Sequence, residues 1–221
     1  ILALNFKHGS KVKELEKEII KLTKSNYGLA LNRGRLGAFL AVKSIISRKK
    51  HKIILSPFTI FDVVNMVICA GGTPVFADVD RKTITMDYNK IVDAYDDEVA
   101  AVLITHTHTI NKDVQKIIDF TKKNNIYLIE DCAISFGTKL NNSNIGTLGD
   151  IGFFSFGMFK FVSSLNGGFI LTKNSKIIEK IKLIHNNFKE PRLLDLFNNF
   201  SKAFLINFFT SKNIFKYLTS F

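Results

Sequence analysis

Residues 100–131 read AAVLITHTHTINKDVQKIIDFTKKNNIYLIED, and the fold turns on them. Ala100 to Thr105 and Ile126 to Glu130 are short, largely apolar runs of strand length, and Lys112 to Lys123 between them reads as a helix. A strand, a helix and a second strand in this order imply a right-handed crossover joining two parallel strands. The runs are continuous rather than alternating, which is the pattern of strands covered by helices on both faces.

The same alternation extends in both directions. Upstream, Lys52 to Leu55 and Pro74 to Ala77 read as strands, with helices at Phe61 to Cys69 and Tyr88 to Tyr95. Earlier still, Val12, Leu15, Ile19 and Leu22 recur at helical spacing after the turn at Gly9-Ser10. An apolar piece from Gly28 to Leu31 then leads through Asn32-Arg33-Gly34 into a helix from about Leu36 to Ile46. Downstream, Gly137 to Asp150 is loop-rich, Ile151 to Phe156 and Gly168 to Thr172 read as strands, and Ser175 to Asn186 as a helix. The fold class is therefore α/β, a mostly parallel central sheet flanked by helices. Pro191 marks a break, so residues 1–190 are read as one large domain and 191–221 as a C-terminal Phe-rich helical segment.

Hydrophobic residues make up 46% of the 221, enough for a substantial core. The formal charge is +12, with the lysines spread over most of the chain. That describes a solvated basic surface with some attraction for anions, and no recognition motif accompanies it that would point to nucleic acid. Cys69 and Cys132 have neither metal nor redox spacing, which fits a reducing, cytoplasmic setting. No signal-peptide pattern is visible, and no apolar run approaches the ~20 residues of a membrane span.

In a doubly wound sheet, ligands sit beyond the carboxyl ends of the strands, and three segments should converge there. The first is Glu130-Asp131-Cys132-Ala133: an acid closing an apolar strand can hold an adjacent group in its charged form, and the small residues after it allow a flat ring to approach the backbone. The second runs from Gly152 to Gly168 and contains Ser155 and Lys160, the lysine set among aromatics. A partly desolvated lysine amine can attack a carbonyl and carry a proton. The third is Asn32-Arg33-Gly34-Arg35-Leu36-Gly37, a glycine turn feeding a helix whose free amides suit a phosphate, with Arg35 adding a guanidinium.

These segments resemble, in order and in spacing, the DegT/DnrJ-type sugar aminotransferase family. The resemblance rests on Glu130-Asp131-Cys132-Ala133, on Gly149-Asp150-Ile151-Gly152-Phe153-Phe154-Ser155-Phe156, on Lys160 and on Gly167-Gly168. Upstream it includes Ser56-Pro57-Phe58-Thr59 and the run from Gly71 to Asp80. It implies a fold-type I enzyme using pyridoxal 5′-phosphate (PLP) to move an amino group, usually from glutamate, onto a keto group of a nucleotide-linked sugar. Such enzymes are typically homodimers with sites at the subunit interface. By position, Lys160 matches the Schiff-base lysine, Asp131 the partner of the pyridine nitrogen and Ser155 a phosphate ligand. Gly34 and Arg35 match the phosphate turn, Ala133 and Ile60 further cofactor contacts, and His106 the substrate edge.

The sequence departs from the family at several of these places. Arg35 replaces a small hydroxyl residue, and Asn166 an acidic one. Ile60 stands where an aromatic usually stacks on the ring, with Phe58 or Phe61 as substitutes, and Ile134 where a Gln contacts the phenolic oxygen. The smaller C-terminal domain that the family carries is not evident after Pro191, so either this is a fragment or its end has another role. Leu194, Phe197, Phe200, Phe204 and Phe208 recur near helical spacing, which suits a core or interface helix, or an in-plane membrane helix making peripheral contact. His106 and His108 offer His-Thr-His spacing without a third ligand, so no metal is expected.

The leading expectation is therefore a transaminase for a nucleotide-linked keto sugar in polysaccharide or glycan synthesis. The alternatives are a related PLP-dependent sugar dehydratase, in which the lysine is replaced by histidine, and a non-catalytic PLP-binding or regulatory relative.

Overall fold

The computed structural model describes residues 10–107, 109–189, 193–211, 214 and 216. The strands are β1 (Tyr27–Leu31), β2 (Lys52–Leu55), β3 (Thr73–Phe76), β4 (Val99–Thr105), β5 (Tyr127–Asp131), β6 (Lys139–Leu140), β7 (Ser143–Asn144), β8 (Ile151–Ser155) and β9 (Gly168–Thr172). The helices are α1 (Ser10–Thr23), α2 (Gly34–Ile45), α3 (Phe61–Cys69), α4 (Tyr88–Asp93), α5 (Val114–Lys123), α6 (Ser175–His185) and α7 (Leu193–Phe209). Seven strands form one sheet in the order β1-β9-β8-β5-β4-β2-β3, and β6 and β7 form a small hairpin beside it. Within the large sheet every pairing is parallel except the two made by β9, which runs against β1 and β8. The expected mostly parallel α/β sheet is thus present.

Side chains alternate across the sheet with the period of two that a strand imposes. Ile53, Leu55, Leu103, Ile129, Phe153 and Ile170 point to one face, where they pack with α2, α3 and α6. Ile54, Val102, Ile104 and Leu128 point to the other, against α4 and α5. Phe154, Phe169 and Leu171 continue that second face under Ile19 of α1. Full burial of each such side chain contributes about 1.5–3 kcal/mol, which is why continuous apolar runs select the covered positions. β3 departs from the expectation. It is one of the two edge strands and the less covered of them, and Phe76 is 52% exposed.

Several boundaries shift by one or two residues from the sequence reading, and three departures have local reasons. α2 begins at Gly34 rather than Leu36, which moves Gly34 and Arg35 from a loop into the first helical turn. α5 begins at Val114 rather than Lys112, because the Asn111 side chain accepts from the Asp113 N–H at 2.8 Å and holds the chain in a turn. The loop-rich stretch 137–150 contains the β6–β7 hairpin, and a single buried carboxylate, Glu130, gathers the amides that follow it.

α7 carries its large apolar residues outward: Leu194, Phe197, Phe200, Phe204, Leu205, Phe208 and Phe209 are all exposed. No described helix is long and apolar enough to cross a membrane.

Candidate active site

β4, β5 and β8 are parallel, so their carboxyl ends share one edge of the sheet. There Thr105 is the register partner of Asp131, and Asp131 of Phe153, with Ser155 two residues further along β8. Period-two alternation places Thr105, Asp131, Phe153 and Ser155 on the face covered by α2 and α3. Glu130 and Cys132 lie on the opposite face.

Asp131 is 2% exposed and accepts from the Ala133 N–H at 3.0 Å. Burial pushes its carboxyl up to about 6, against the opposing pull of that amide and of the neighbouring His106 and Lys160. A buried acid in this condition is ready to receive a cationic partner. Lys160 is half-buried in the loop between β8 and β9, where its N–H donates to the Gly157 carbonyl at 3.0 Å. Its aromatic neighbours do not enclose it as expected: Phe159 and Phe161 are 85% and 86% exposed. They lie outward because the turn presents them to the surface.

Two adjoining cavities share Asp131, Lys160, Ala133 and Ile60. The first, 250 Å³, is bordered by Gly34, Arg35, Ser155, Asn166 and Gly167. The second, 310 Å³, is bordered by Phe58, Thr59, Thr105, His106 and Ile134. A larger cavity of 520 Å³ opens at the opposite edge of the sheet, around Asp150 and Lys173. Asp150 is held there by the Leu128 N–H at 2.8 Å and ties β5 to β8, so it belongs to the framework.

In the first cavity the amino end of α2 sits directly on the end of β8. A Cβ on Gly34 would lie 2.5 Å from the Ser155 Cβ, and one on Gly168 would lie 2.7 Å from the Gly34 Cα. Only glycine allows this approach. Arg33 caps the helix without a side-chain hydrogen bond, which leaves the first-turn amides of Gly34 and Arg35, two residues that border the cavity, without a side-chain cap. These amides and the Ser155 hydroxyl suit a phosphate. Arg35 is not the free guanidinium expected: its Nη1 and Nη2 hold Asp62 at 3.1 and 3.0 Å. Asp62 lies in the first turn of α3, which packs against α2, and the two side chains meet across that contact.

The other expected residues divide. Ser155, Gly34, Ala133 and Ile60 border the cavities, as does Phe58, whereas Phe61 borders neither and is 76% exposed. Cys132 points away into the core beneath Phe154, where burial pushes its thiol well above the usual range, so only Ala133 offers the small surface expected of the pair. His106 is 1% exposed, and its Nε2 donates to Glu130 at 3.0 Å, which makes it a wall of the site rather than a side chain reaching out to substrate. His108 lies outside the described residues.

Glu130 and Cys132 supply the neighbours that the His-Thr-His spacing lacked, since His106, Glu130 and Cys132 place their ligand atoms within 4.8 Å of one another. Glu130 is nonetheless saturated by hydrogen bonds. Oε2 accepts from His106 and the Gly146 N–H, and Oε1 from the Leu148 and Gly149 N–H groups, all within 3.0 Å. These four donors occupy both oxygens of the Glu130 carboxylate. Thr59, Thr105 and Asp62 are site residues that the sequence reading did not single out.

A mostly parallel α/β domain with a buried aspartate, a lysine and a phosphate-sized cradle at its carboxyl edge defines the class of domain that binds a phosphorylated ring cofactor. The sequence model of the DegT/DnrJ/EryC1/StrS aminotransferase family matches residues 3–195, and the chain belongs to that family. The spore coat polysaccharide biosynthesis protein SpsC of Bacillus subtilis is 30% identical over 176 residues, covering 80% of this chain and 45% of that protein. GDP-perosamine synthase of Vibrio cholerae is 27% identical over 178 residues, covering 80% and 48%. Among solved structures, an aminotransferase from Psychrobacter cryohalolentis superposes with a TM-score of 0.75 at 25% identity, over 85% of this chain and 50% of that one. Helicobacter pylori PseC, an aminotransferase of pseudoaminic acid biosynthesis, gives 0.76 at 21% identity, over 84% and 51%, and shows the shared fold. The chain spans about half the length of the curated relatives it matches.

Proposed function

We propose that this chain is the cofactor-binding part of a PLP-dependent aminotransferase that moves an amino group, from glutamate, to a keto group on a nucleotide-linked sugar. The observation that carries the reading is that Asp131 and Lys160 border the same two cavities, one of them ending in the Ser155–Gly34 cradle. PLP supplies an aldehyde for the lysine and a ring that stores electrons when its nitrogen is protonated. Asp131 would hold that nitrogen in its charged form, and the positive ring would relieve the carboxylate of its isolation. Ser155 and the first-turn amides of α2 would hold the phosphate. Lys160, once released by the amino donor, would carry the proton at the substrate α carbon.

Nucleotide-sugar chemistry is supported by relatives such as GDP-perosamine synthase and the UDP-N-acetyl-3-dehydro-alpha-D-glucosamine 3-aminotransferase of Acidithiobacillus ferrooxidans. Some structural neighbours are GDP-4-keto-6-deoxymannose-3-dehydratases, and a lysine at position 160 favours transamination over that chemistry. The exposed Phe159 and Phe161 beside Lys160 favour a second copy covering the mouth of the site.

Titration of the purified chain with PLP tests the reading. A visible absorbance band should form, and borohydride should fix the cofactor to Lys160. Lys160→Ala should abolish both, and glutamate with a nucleotide-linked keto sugar should give the amino sugar. A band without amino transfer would favour a binding-only relative, and no band at all would overturn the proposal.

A further inference from the structure

The second cavity contains an imbalance. It is bordered by apolar Phe58, Ile60 and Ile134, yet the hydroxyls of Thr59 and Thr105 and the Nδ1 of His106 are buried there without a hydrogen-bond partner. Buried hydroxyls are nearly always paired, because leaving one unpaired costs about 1–3 kcal/mol. Of the five such orphaned atoms among the described residues, three belong to the lining of this one cavity.

The constitution of PLP says what would meet them. Its ring nitrogen and aldehyde carbon lie para to each other, and the phosphate arm and phenolic oxygen sit on opposite flanks of that axis. With the nitrogen at Asp131, the aldehyde at Lys160 and the phosphate arm toward Ser155 and Gly34, the phenolic oxygen would face the second cavity. Ile134 can offer it nothing. Thr105 is the register partner of Asp131 on the neighbouring strand, on the same face. We propose that the Thr105 hydroxyl, seconded by Thr59, donates a hydrogen bond to the phenolic oxygen of bound PLP; the inference rests on the PLP reading above. In this chain the strand next to Asp131 then supplies the polar contact that position 134 lacks, and the cofactor is held on both flanks.

The test is a PLP titration of the full chain carrying Thr105→Val, Thr105→Ser or Thr59→Val, followed by the visible absorbance band and its change with pH. Thr105→Val should weaken PLP binding roughly tenfold or more, as loss of a hydrogen bond to a charged oxygen does, and shift the pH at which the band changes. Thr105→Ser, which keeps the hydroxyl, should restore both, and Thr59→Val should have the smaller effect. A PLP analogue lacking the ring hydroxyl should bind the native chain and Thr105→Val equally. Equal PLP affinity in the native chain and both valine variants, or an analogue that binds the native chain as tightly as PLP, would overturn the inference while leaving the lysine–aspartate reading intact. Failure of the native chain to form any band would remove both.

Discussion

Arg35 and Asp62 form a two-pronged ion pair, Nη1 to Oδ1 at 3.1 Å and Nη2 to Oδ2 at 3.0 Å, on the rim of the cavity that Ser155 and Gly34 border. The aspartate therefore does two things to an incoming phosphate: it occupies the guanidinium fork and adds a negative charge to the lining. Asp62→Asn should tighten binding of PLP and of inorganic phosphate several-fold at low salt, with the gain shrinking as salt rises. Both side chains are partly exposed, so the pair contributes about 0–1 kcal/mol and the melting temperature should barely move. Calorimetric titration at two salt concentrations checks this, and unchanged affinity would mean that phosphate reaches the cradle without Arg35.

Asp131 makes the ligand-free protein sensitive to pH. Its carboxyl is raised to about 6 by burial, so the folded state favours the protonated form. The associated stability is fully present below the unfolded carboxylate value near 4 and is lost as pH rises through about 6. Asp131→Asn, which has no charge to bury, should unfold at higher urea than the native chain at pH 8, by on the order of 2–3 kcal/mol, and nearly equally at pH 4. Added PLP should narrow the gap by stabilising the native chain more than the variant. A variant no more stable than native at pH 8 would show that Asp131 is already neutralised.

The alternation of strands and helices was legible because covered strands and amphipathic helices leave strong periodicities. The edge position of β3 could have been read from Pro74, which has no N–H to give a second neighbour and so belongs at the edge of a sheet. Strand-end logic found Asp131, Ser155 and Gly34. Period two could also have separated Glu130 from Asp131 onto opposite faces, and the pairing of adjacent parallel strands could have set Thr105 beside Asp131. What the sequence could not show were partners chosen by tertiary packing. Asp62 lies 27 residues from Arg35, and the amides that hold Glu130 come 16 to 19 residues later from a loop with no pattern of its own. The exposure of Phe159 and Phe161 was hidden because apolar residues beside a lysine look like a lining until the turn that displays them is known.

Glu130 organises that loop. It is fully buried and accepts four hydrogen bonds, three from the backbone of Gly146, Leu148 and Gly149 and one from His106. Glutamine keeps the shape but turns an NH₂ group toward N–H donors, so one end of the side chain faces groups it cannot bond. Glu130→Gln should destabilise the protein by about 3 kcal/mol, lowering the melting temperature by roughly 6–12 °C for a chain of this size. Limited proteolysis should then cut first within 137–150. Native-like melting and an uncut loop would contradict the role given to this carboxylate.

Gly34 and Gly157 both border the first cavity, but they are not equivalent. A Cβ on Gly34 meets the Ser155 Cβ at 2.5 Å, inside any tolerable carbon–carbon distance, whereas one on Gly157 meets only the Ser155 hydroxyl, at 3.6 Å. Gly34→Ala must therefore push α2 away from β8, at a cost of about 1–3 kcal/mol, and it moves the first-turn amides off the phosphate position. Gly157→Ala has room for its methyl group. PLP affinity should accordingly fall by an order of magnitude or more in Gly34→Ala and stay within about twofold of native in Gly157→Ala. The comparison isolates close approach from loop flexibility: were both variants equally impaired, the seat of α2 on β8 would not be what positions the cradle.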